Sequence, residues 1–268
     1  MKKSNINAAY ILTKVRKDSP VVYHLTNLVT IYDCENVVKT LGASPVMAHA
    51  TEEVCDMVSI ASSLVLNIGT LTQDFIKVMK KASIAANKKG IPVVLDVCGA
   101  GASRLRDRKC FELLDQTRIS IIKGNASEIA RIAGEKVSTK GVDSCEVAKD
   151  ILELSQTLSR KRNCVVVATG KHDVVSDGKN SIIVGNGHEL MSHVVGTGCM
   201  ASSVIGAFSA IAPDLLSAAS AALVCFGIAG ELAAKRCFGT GSFKERLFDS
   251  LYNLDKETIN KLQKLWKK

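Results

Sequence analysis

Short apolar runs recur along the chain, each closed by a polar residue or a glycine, and longer stretches with helical spacing lie between them. Runs at 20–25, 44–48, 63–69, 91–96, 119–124 and 164–170 read as strands, several of them apolar without alternation, which is the mark of strands buried on both faces. Segments 174–176 and 181–184, joined by Asp177-Gly178-Lys179-Asn180, read as a hairpin. Helical spacing covers 4–17 with a basic outer face, 36–41 ending at Gly42, and 72–89 ending at Gly90. A further helix follows Asn125-Ala126-Ser127-Glu128, two long apolar helices follow Gly196, and a helix near 243–265 closes the chain.

Strands that alternate with helices predict an α/β fold, a mostly parallel sheet covered on both faces. No linker, low-complexity segment or internal repeat interrupts 1–268, so one domain is expected. Composition supports this, because 47% hydrophobic with only 4% aromatic residues means an aliphatic, Ala-rich core. The apolar stretch 207–234 is interrupted by Pro213 and Asp214 and carries Glu231, so it reads as two packed helices and not a membrane span. The nine cysteines form no CxxC pair, and Met1-Lys2-Lys3-Ser4-Asn5 leads into no signal-peptide core; a reduced, cytoplasmic setting is expected. The net charge of +9 is scattered in pairs such as Lys80-Lys81 and Lys88-Lys89, which suits a small polyanionic substrate and gives no reason to expect nucleic acid.

The candidate chemistry gathers at strand ends. Val194-Val195-Gly196-Thr197-Gly198-Cys199-Met200 reads as a glycine-rich turn opening a helix. The first N–H groups of a helix lack intrahelical partners, and the helix dipole adds positive character, so Gly196, Thr197 and Gly198 form a candidate anion cradle. Cys199 lies in the first turn, where a thiol loses its proton more readily. The alternative is a tight turn before a core helix. Asp96 closes one strand and leads into Val97-Cys98-Gly99-Ala100-Gly101. Asn125 and Glu128 follow another strand and match a capping box, and Thr169 closes a third. Asn27 and Met47 are candidate pocket residues, with core filling as the plain alternative for Met47. Ligands of open α/β sheets bind outside the carboxyl ends of the strands, where Asp96, Asn125, Glu128, Thr169 and Gly196–Cys199 fall.

In this order, His24-Leu25-Thr26-Asn27, Ser44-Pro45-Val46-Met47, Gly124-Asn125-Ala126-Ser127-Glu128, Ala168-Thr169-Gly170 and Gly196-Thr197-Gly198-Cys199 resemble the hydroxyethylthiazole kinase family of the ribokinase-like superfamily, over nearly the whole chain. The resemblance implies a ribokinase-like three-layer sandwich without a separate lid. It implies phosphorylation, dependent on ATP and Mg2+, of the primary alcohol of 4-methyl-5-(2-hydroxyethyl)thiazole in thiamine diphosphate biosynthesis or salvage. It also implies a homotrimer with active sites between subunits. On this resemblance Met47 and Gly196 touch the thiazole with Asn27 nearby, Lys123, Thr169 and Asn125 serve ATP, Glu128 and Asp96 hold the metal, and Cys199 takes or orients the alcohol proton. Two positions depart from the family. Lys123 stands where Arg is usual, keeping the charge without the planar two-pronged contact, and Val97-Cys98 follow Asp96 where Pro is usual. Readings from other classes are a thiol hydrolase or acyltransferase with Cys199 as nucleophile and His193 or His188 as base, and a ribokinase-like small-alcohol kinase or dehydratase of different substrate.

Overall fold

Parallel strands with aliphatic side chains on both faces need a helical layer on each side, and the chain supplies both. In a computed structural model that describes residues 2–135 and 150–268, ten strands form one sheet. In chain order they are β1 (Lys2–Lys3), β2 (Val21–Leu25), β3 (Ser44–Val46), β4 (Ser63–Asn67), β5 (Val93–Asp96), β6 (Ile121–Asn125), β7 (Val165–Thr169), β8 (Asp173–Ser176), β9 (Ser181–Val184) and β10 (Leu265–Lys267). Their spatial order is β1-β10-β9-β8-β7-β6-β5-β4-β2-β3. The run from β3 to β7 is parallel, and the run from β7 to β1 is antiparallel.

The helices are α1 (Ala8–Asp18), α2 (Ile31–Leu41), α3 (Val54–Ile60), α4 (Gln73–Lys89), α5 (Arg104–Gln116), α6 (Ala126–Ala133), α7 (Ile151–Arg162), α8 (Thr197–Ser209), α9 (Leu215–Ala234), α10 (Thr240–Tyr252) and α11 (Lys256–Leu262). Leu12, Val37, Phe208, Val224, Leu247 and Ile259 bring α1, α2 and α8–α11 into one core. Val54, Ile76, Leu113, Ile129 and Leu158 bring α3–α7 into the other. Strand periodicity divides the sheet between them: Val65 enters the first core, while its neighbours Leu64 and Leu66 enter the second. Each such buried aliphatic side chain contributes about 1.5–3 kcal/mol. The 20-residue α9 is long and apolar enough to cross a membrane, yet most of it is buried against the sheet and neighbouring helices.

Side-chain caps set several boundaries. Asn7, Thr72, Ser103, Asp214 and Asp255 each accept a backbone N–H at the start of a helix. Gly42 and Gly90 end α2 and α4 in the left-handed region. Three expectations need correction. The first helix starts at Ala8 behind its Asn7 cap, not at residue 4. The second starts at Ile31, not 36, because Asn27 Oδ1 accepts from the Val29 and Thr30 N–H groups and turns the chain into it. The closing segment is not one helix. Asp255 caps a separate α11, and Leu265–Lys267 leave as β10 to pair with β9 and β1.

Helix α8 lies directly on the sheet. A Cβ on Gly206 would collide with Val65 Cγ2 and come within 3.2 Å of Val22 Cγ1. The C-terminal half of α8 thus rests over β4 and β2, while Ser202 in its middle, one turn towards the N-terminus, reaches Asp96, the last residue of β5. The N-terminus of α8 is therefore fixed above the carboxyl ends of the parallel strands.

Candidate active site

Register alone brings the polar strand ends together. Asn67 pairs with Asp96 and Asp96 with Lys123 across β4, β5 and β6, while Asn125 pairs with Thr169 across β6 and β7. Sequence-distant residues therefore form a polar row along one edge of an otherwise apolar sheet. Asn67, Asp96, Lys123 and Glu128 are all buried.

Asn125 caps α6 as the sequence pattern predicts. Its Oδ1 accepts from Glu128 N at 2.9 Å, and Glu128 Oε2 accepts from Asn125 N at 2.7 Å. Glu128 does more than cap, because its Oε1 also accepts from Gly99 N at 2.6 Å and so holds the turn after β5. Gly99 and Gly101 both have positive φ, as a turn that folds back on this carboxylate requires. Burial, with Asp96 nearby, pushes Glu128 up to about 7 against the opposing pull of Lys123. Burial disfavours the Lys123 ammonium, but Asp96 and Glu128 together hold it above its ordinary value. Its Nζ lies 3.3 Å from Asp96 Oδ2, which also accepts from Ser202 Oγ at 2.7 Å.

The α8 turn has the expected geometry. Gly196 has φ +96, and a Cβ there would lie 2.7 Å from Thr30 Cγ2. Thr197 Oγ1 donates to the Met191 carbonyl at 2.6 Å, and Lys123 Nζ donates to the Gly198 carbonyl at 2.9 Å. Both contacts fix the turn from outside the helix. Cys199 is half-buried, and its sulfur accepts from Asn67 Nδ2 at 3.2 Å and Asn27 Nδ2 at 3.3 Å. The neighbouring Cys98 thiol lowers Cys199 below the ordinary thiol range despite its burial, and the same interaction with burial raises Cys98.

A cavity of about 970 Å³ opens beside this turn, lined by Asn125, Thr169, Gly170, Lys171, His172, Gly187, His188, Glu189, Ser192 and Thr197. The structure thus joins Asn125, Thr169 and Thr197 at one cavity, and at the turn that holds Thr197 it links Asp96, Lys123 and Gly198 to one another, Asn27 to Cys199, and Gly196 to Thr30. Met47 lies just past β3, next to β2, and among the described residues no hydrogen bond ties it to the Gly196 turn. Tyr23 Oη anchors that segment by donating to the Ala48 carbonyl at 2.8 Å. Neither histidine expected of a thiol nucleophile is hydrogen bonded to Cys199 among the described residues. His188 Nδ1 instead accepts from Leu190 N at 3.2 Å, and His193 is exposed at the end of the 3-10 turn Glu189–His193.

Sequence reasoning missed Asn67, Ser202 and Arg106 as site residues. Arg106 donates to the carbonyls of Ile68 at 2.8 Å, Cys98 at 3.0 Å and Gly69 at 2.6 Å, stapling the turns after β4 and β5. Asn67 carried a signal as the polar end of an apolar run. Ser202 and Arg106 carried none, because a serine in a small-residue helix and an arginine in a polar one are ordinary.

A family model described as the hydroxyethylthiazole kinase family matches residues 12–257. A hydroxyethylthiazole kinase from Methanosarcina mazei is 52% identical over 254 residues, covering 95% of this chain and 97% of its own. The solved structure of a hydroxyethylthiazole kinase from Pyrococcus horikoshii OT3 superposes with a TM-score of 0.89 at 38% identity, covering 97% of this chain and 98% of that one. A ribokinase-like superfamily protein from Enterococcus faecalis V583 shares the fold alone, with a TM-score of 0.63 at 15% identity over 92% of this chain and 95% of its own.

Proposed function

This chain belongs to the hydroxyethylthiazole kinase family, and on that premise we propose that it transfers the terminal phosphoryl group of ATP to the primary alcohol of 4-methyl-5-(2-hydroxyethyl)thiazole. The product would be the thiazole phosphate used to make thiamine diphosphate. One observation carries the reading: the N-terminus of α8 lies between the cavity lined by Thr169 and Asn125 and the corner where Asn27 meets Cys199.

Phosphoryl transfer requires in-line positioning and neutralisation of spread negative charge more than covalent chemistry. Thr169 and Asn125 would hold ATP in the cavity, with Lys123 adding positive charge from beneath the turn. The N–H groups of the Gly196–Cys199 turn would face the charge that develops on the transferred group. Met47 and Gly196 would line the thiazole, and Cys199 would accept the alcohol proton. Asp96 and Glu128 suit magnesium. They are hard oxygen donors, buried and close enough for Asp96 to raise Glu128, so a cation would relieve their repulsion. Bound there, magnesium would neutralise the ATP phosphates.

Leu28, Val29, Tyr32 and Val195 are large apolar side chains left exposed beside the Asn27 and Gly196 turns. That rim supports self-association at this edge, and the family resemblance extends the proposal to a cytoplasmic homotrimer with sites between subunits, each subunit a single catalytic unit over 1–268. The decisive assay offers ATP and magnesium with a panel of thiazole and pyrimidine alcohols, reading products by mass spectrometry. Phosphorylation confined to the thiazole alcohol is expected. A preference for a pyrimidine alcohol, or ATP-independent turnover of an ester, would replace this reading.

A further inference from the structure

Cys199 Sγ lies between two carboxamides whose orientations the backbone dictates. Asn67 Oδ1 accepts from Gly69 N at 2.9 Å and from Asn27 Nδ2 at 3.0 Å. An amide oxygen accepts and its NH2 donates, so these partners settle which end of Asn67 is which. Its Nδ2 is then the end that faces the sulfur, at 3.2 Å. Asn27 is settled in the same way, since its Oδ1 accepts from Val29 N and Thr30 N, both at 3.1 Å.

The two amides are not equivalent. Asn27 Nδ2 divides its two hydrogens among Thr30 Oγ1 at 2.9 Å, Asn67 Oδ1 at 3.0 Å and Cys199 Sγ at 3.3 Å. Among the described residues, Asn67 Nδ2 has Cys199 Sγ as its hydrogen-bond acceptor. Asn67 is 1% exposed, so water offers little alternative. A neutral thiol is a weak acceptor and poorly satisfies a buried N–H, whereas a thiolate satisfies it well.

We infer that Asn67 is a positioning residue, holding the Cys199 sulfur as a hydrogen-bond acceptor aimed at the substrate alcohol. Its catalytic meaning rests on the kinase reading above; the interaction itself does not. In the reaction the alcohol O–H bond breaks and its proton passes to Sγ, the alcohol oxygen bonds to the terminal phosphorus of ATP, and the bond to ADP breaks. Other groups face the same sulfur. Cys98 in the turn after β5 and Lys123 on β6 favour the thiolate, while Asp96 on β5 opposes it. Cys34 on α2 lies close, and Asp33 on that helix is paired with Lys244 of α10 at 2.7 Å. Lys123 opposes Asp96, and the Cys98 thiol acts on the sulfur's charge, while the two amide donors are the side chains that hydrogen-bond to it among the described residues.

The test is the pH profile of iodoacetamide alkylation on the full chain, read by peptide mass spectrometry. N-acetylcysteine alkylated in parallel serves as reference. In the wild-type protein the Cys199 midpoint should lie below that of this free thiol. Asn67→Asp keeps an oxygen towards Gly69 N and Asn27 Nδ2 but replaces the donor by a carboxylate oxygen. It should raise the Cys199 midpoint by about one pH unit or more, slowing alkylation roughly tenfold at neutral pH. The turnover number should fall by a similar factor while KM for ATP holds within about twofold. An unchanged Cys199 midpoint in a folded Asn67→Asp protein overturns the inference. If that variant does not fold, Asn67→Ala, which removes the donor without adding a charge, decides in its place, and an unchanged Cys199 midpoint in it overturns the inference. Alkylation needs neither ATP nor thiazole, so its outcome stands apart from any failure of the kinase assay.

Discussion

Lys123 Nζ donates to the Gly198 carbonyl at 2.9 Å, joining the middle of β6 to the α8 turn across 75 residues of sequence. The same ammonium lies 3.3 Å from Asp96 Oδ2, with the two side chains 5% and 2% exposed. Truncating Lys123 leaves the Asp96 carboxylate buried without its partner, a loss of about 3–5 kcal/mol. Lys123→Ala should therefore lower the urea midpoint. It should also raise KM for ATP by roughly tenfold while KM for the thiazole barely moves. Equal changes in both KM values would count against a nucleotide role for this residue.

Glu128 caps α6 and holds Gly99 with the same carboxylate. Glu128→Gln keeps an acceptor for only one of the two backbone N–H groups that Glu128 serves, so stability should fall by about 1–3 kcal/mol. If the carboxylate also serves magnesium, turnover per folded molecule should fall by roughly a hundredfold and recover in part at high magnesium. A variant that loses stability but keeps its turnover would leave Glu128 as a cap alone.

His24 on β2 is fully buried, and burial pulls it down to about 4, with Nδ1 3.0 Å from the Val22 carbonyl. In the folded protein it stays neutral while the unfolded chain takes up a proton near its ordinary value. The unfolded state thus binds more protons between roughly pH 6.5 and 4, and stability should fall as pH falls through that window. The shift sets an upper bound of about 3 kcal/mol. Urea unfolding at pH 7 and pH 5 should show this loss in wild type and a smaller one in His24→Asn. Parallel losses in both proteins would remove His24 as the cause.

Much of this architecture was legible because parallel strands announce themselves as apolar runs. The runs at 63–69, 91–96 and 164–170 became β4, β5 and β7 with only their ends trimmed. The site was legible where backbone geometry restricts the residue, as at Gly196 with its positive φ or Asn125 with its cap. What stayed hidden depends on register and on side chains that meet across the fold. Nothing local to Ser202 foretells its bond to Asp96, and nothing local to Arg106 foretells the three carbonyls it gathers. The closing segment misled for a related reason. Leu265-Trp266-Lys267 continues an apparent helix until an open sheet edge offers it backbone partners.

The exposed rim beside the site sets the assembly prediction. Leu28, Val29, Tyr32 and Val195 are each 69–74% exposed. Light scattering should give about three times the chain mass at working concentrations. Val29→Glu should shift the protein towards monomer and cut activity together. A wild-type monomer with full activity would sink the shared-site arrangement.

Cys199 separates a proton acceptor from a nucleophile. Asn67 and Asn27 both present N–H groups to its sulfur, and no imidazole hydrogen-bonds to it among the described residues. The neighbouring Cys98 thiol favours a thiolate in the free protein, whereas incoming ATP phosphates disfavour a second anion nearby. The thiol should therefore be a modest base once both substrates are bound. A carboxylate oxygen at this position would accept the same amide N–H groups and has a lower ordinary pKa. Cys199→Asp should therefore stay within about tenfold of wild-type turnover, and could exceed it. Cys199→Ala should lose roughly a hundredfold yet keep measurable activity, because the α8 turn still stabilises the transferred group. A covalent mechanism predicts otherwise: both variants would be inactive, and quenched wild-type reactions would show an adduct on this thiol by intact-protein mass spectrometry. A folded Cys199→Asp protein that binds both substrates without turning them over would overturn the proton-acceptor role.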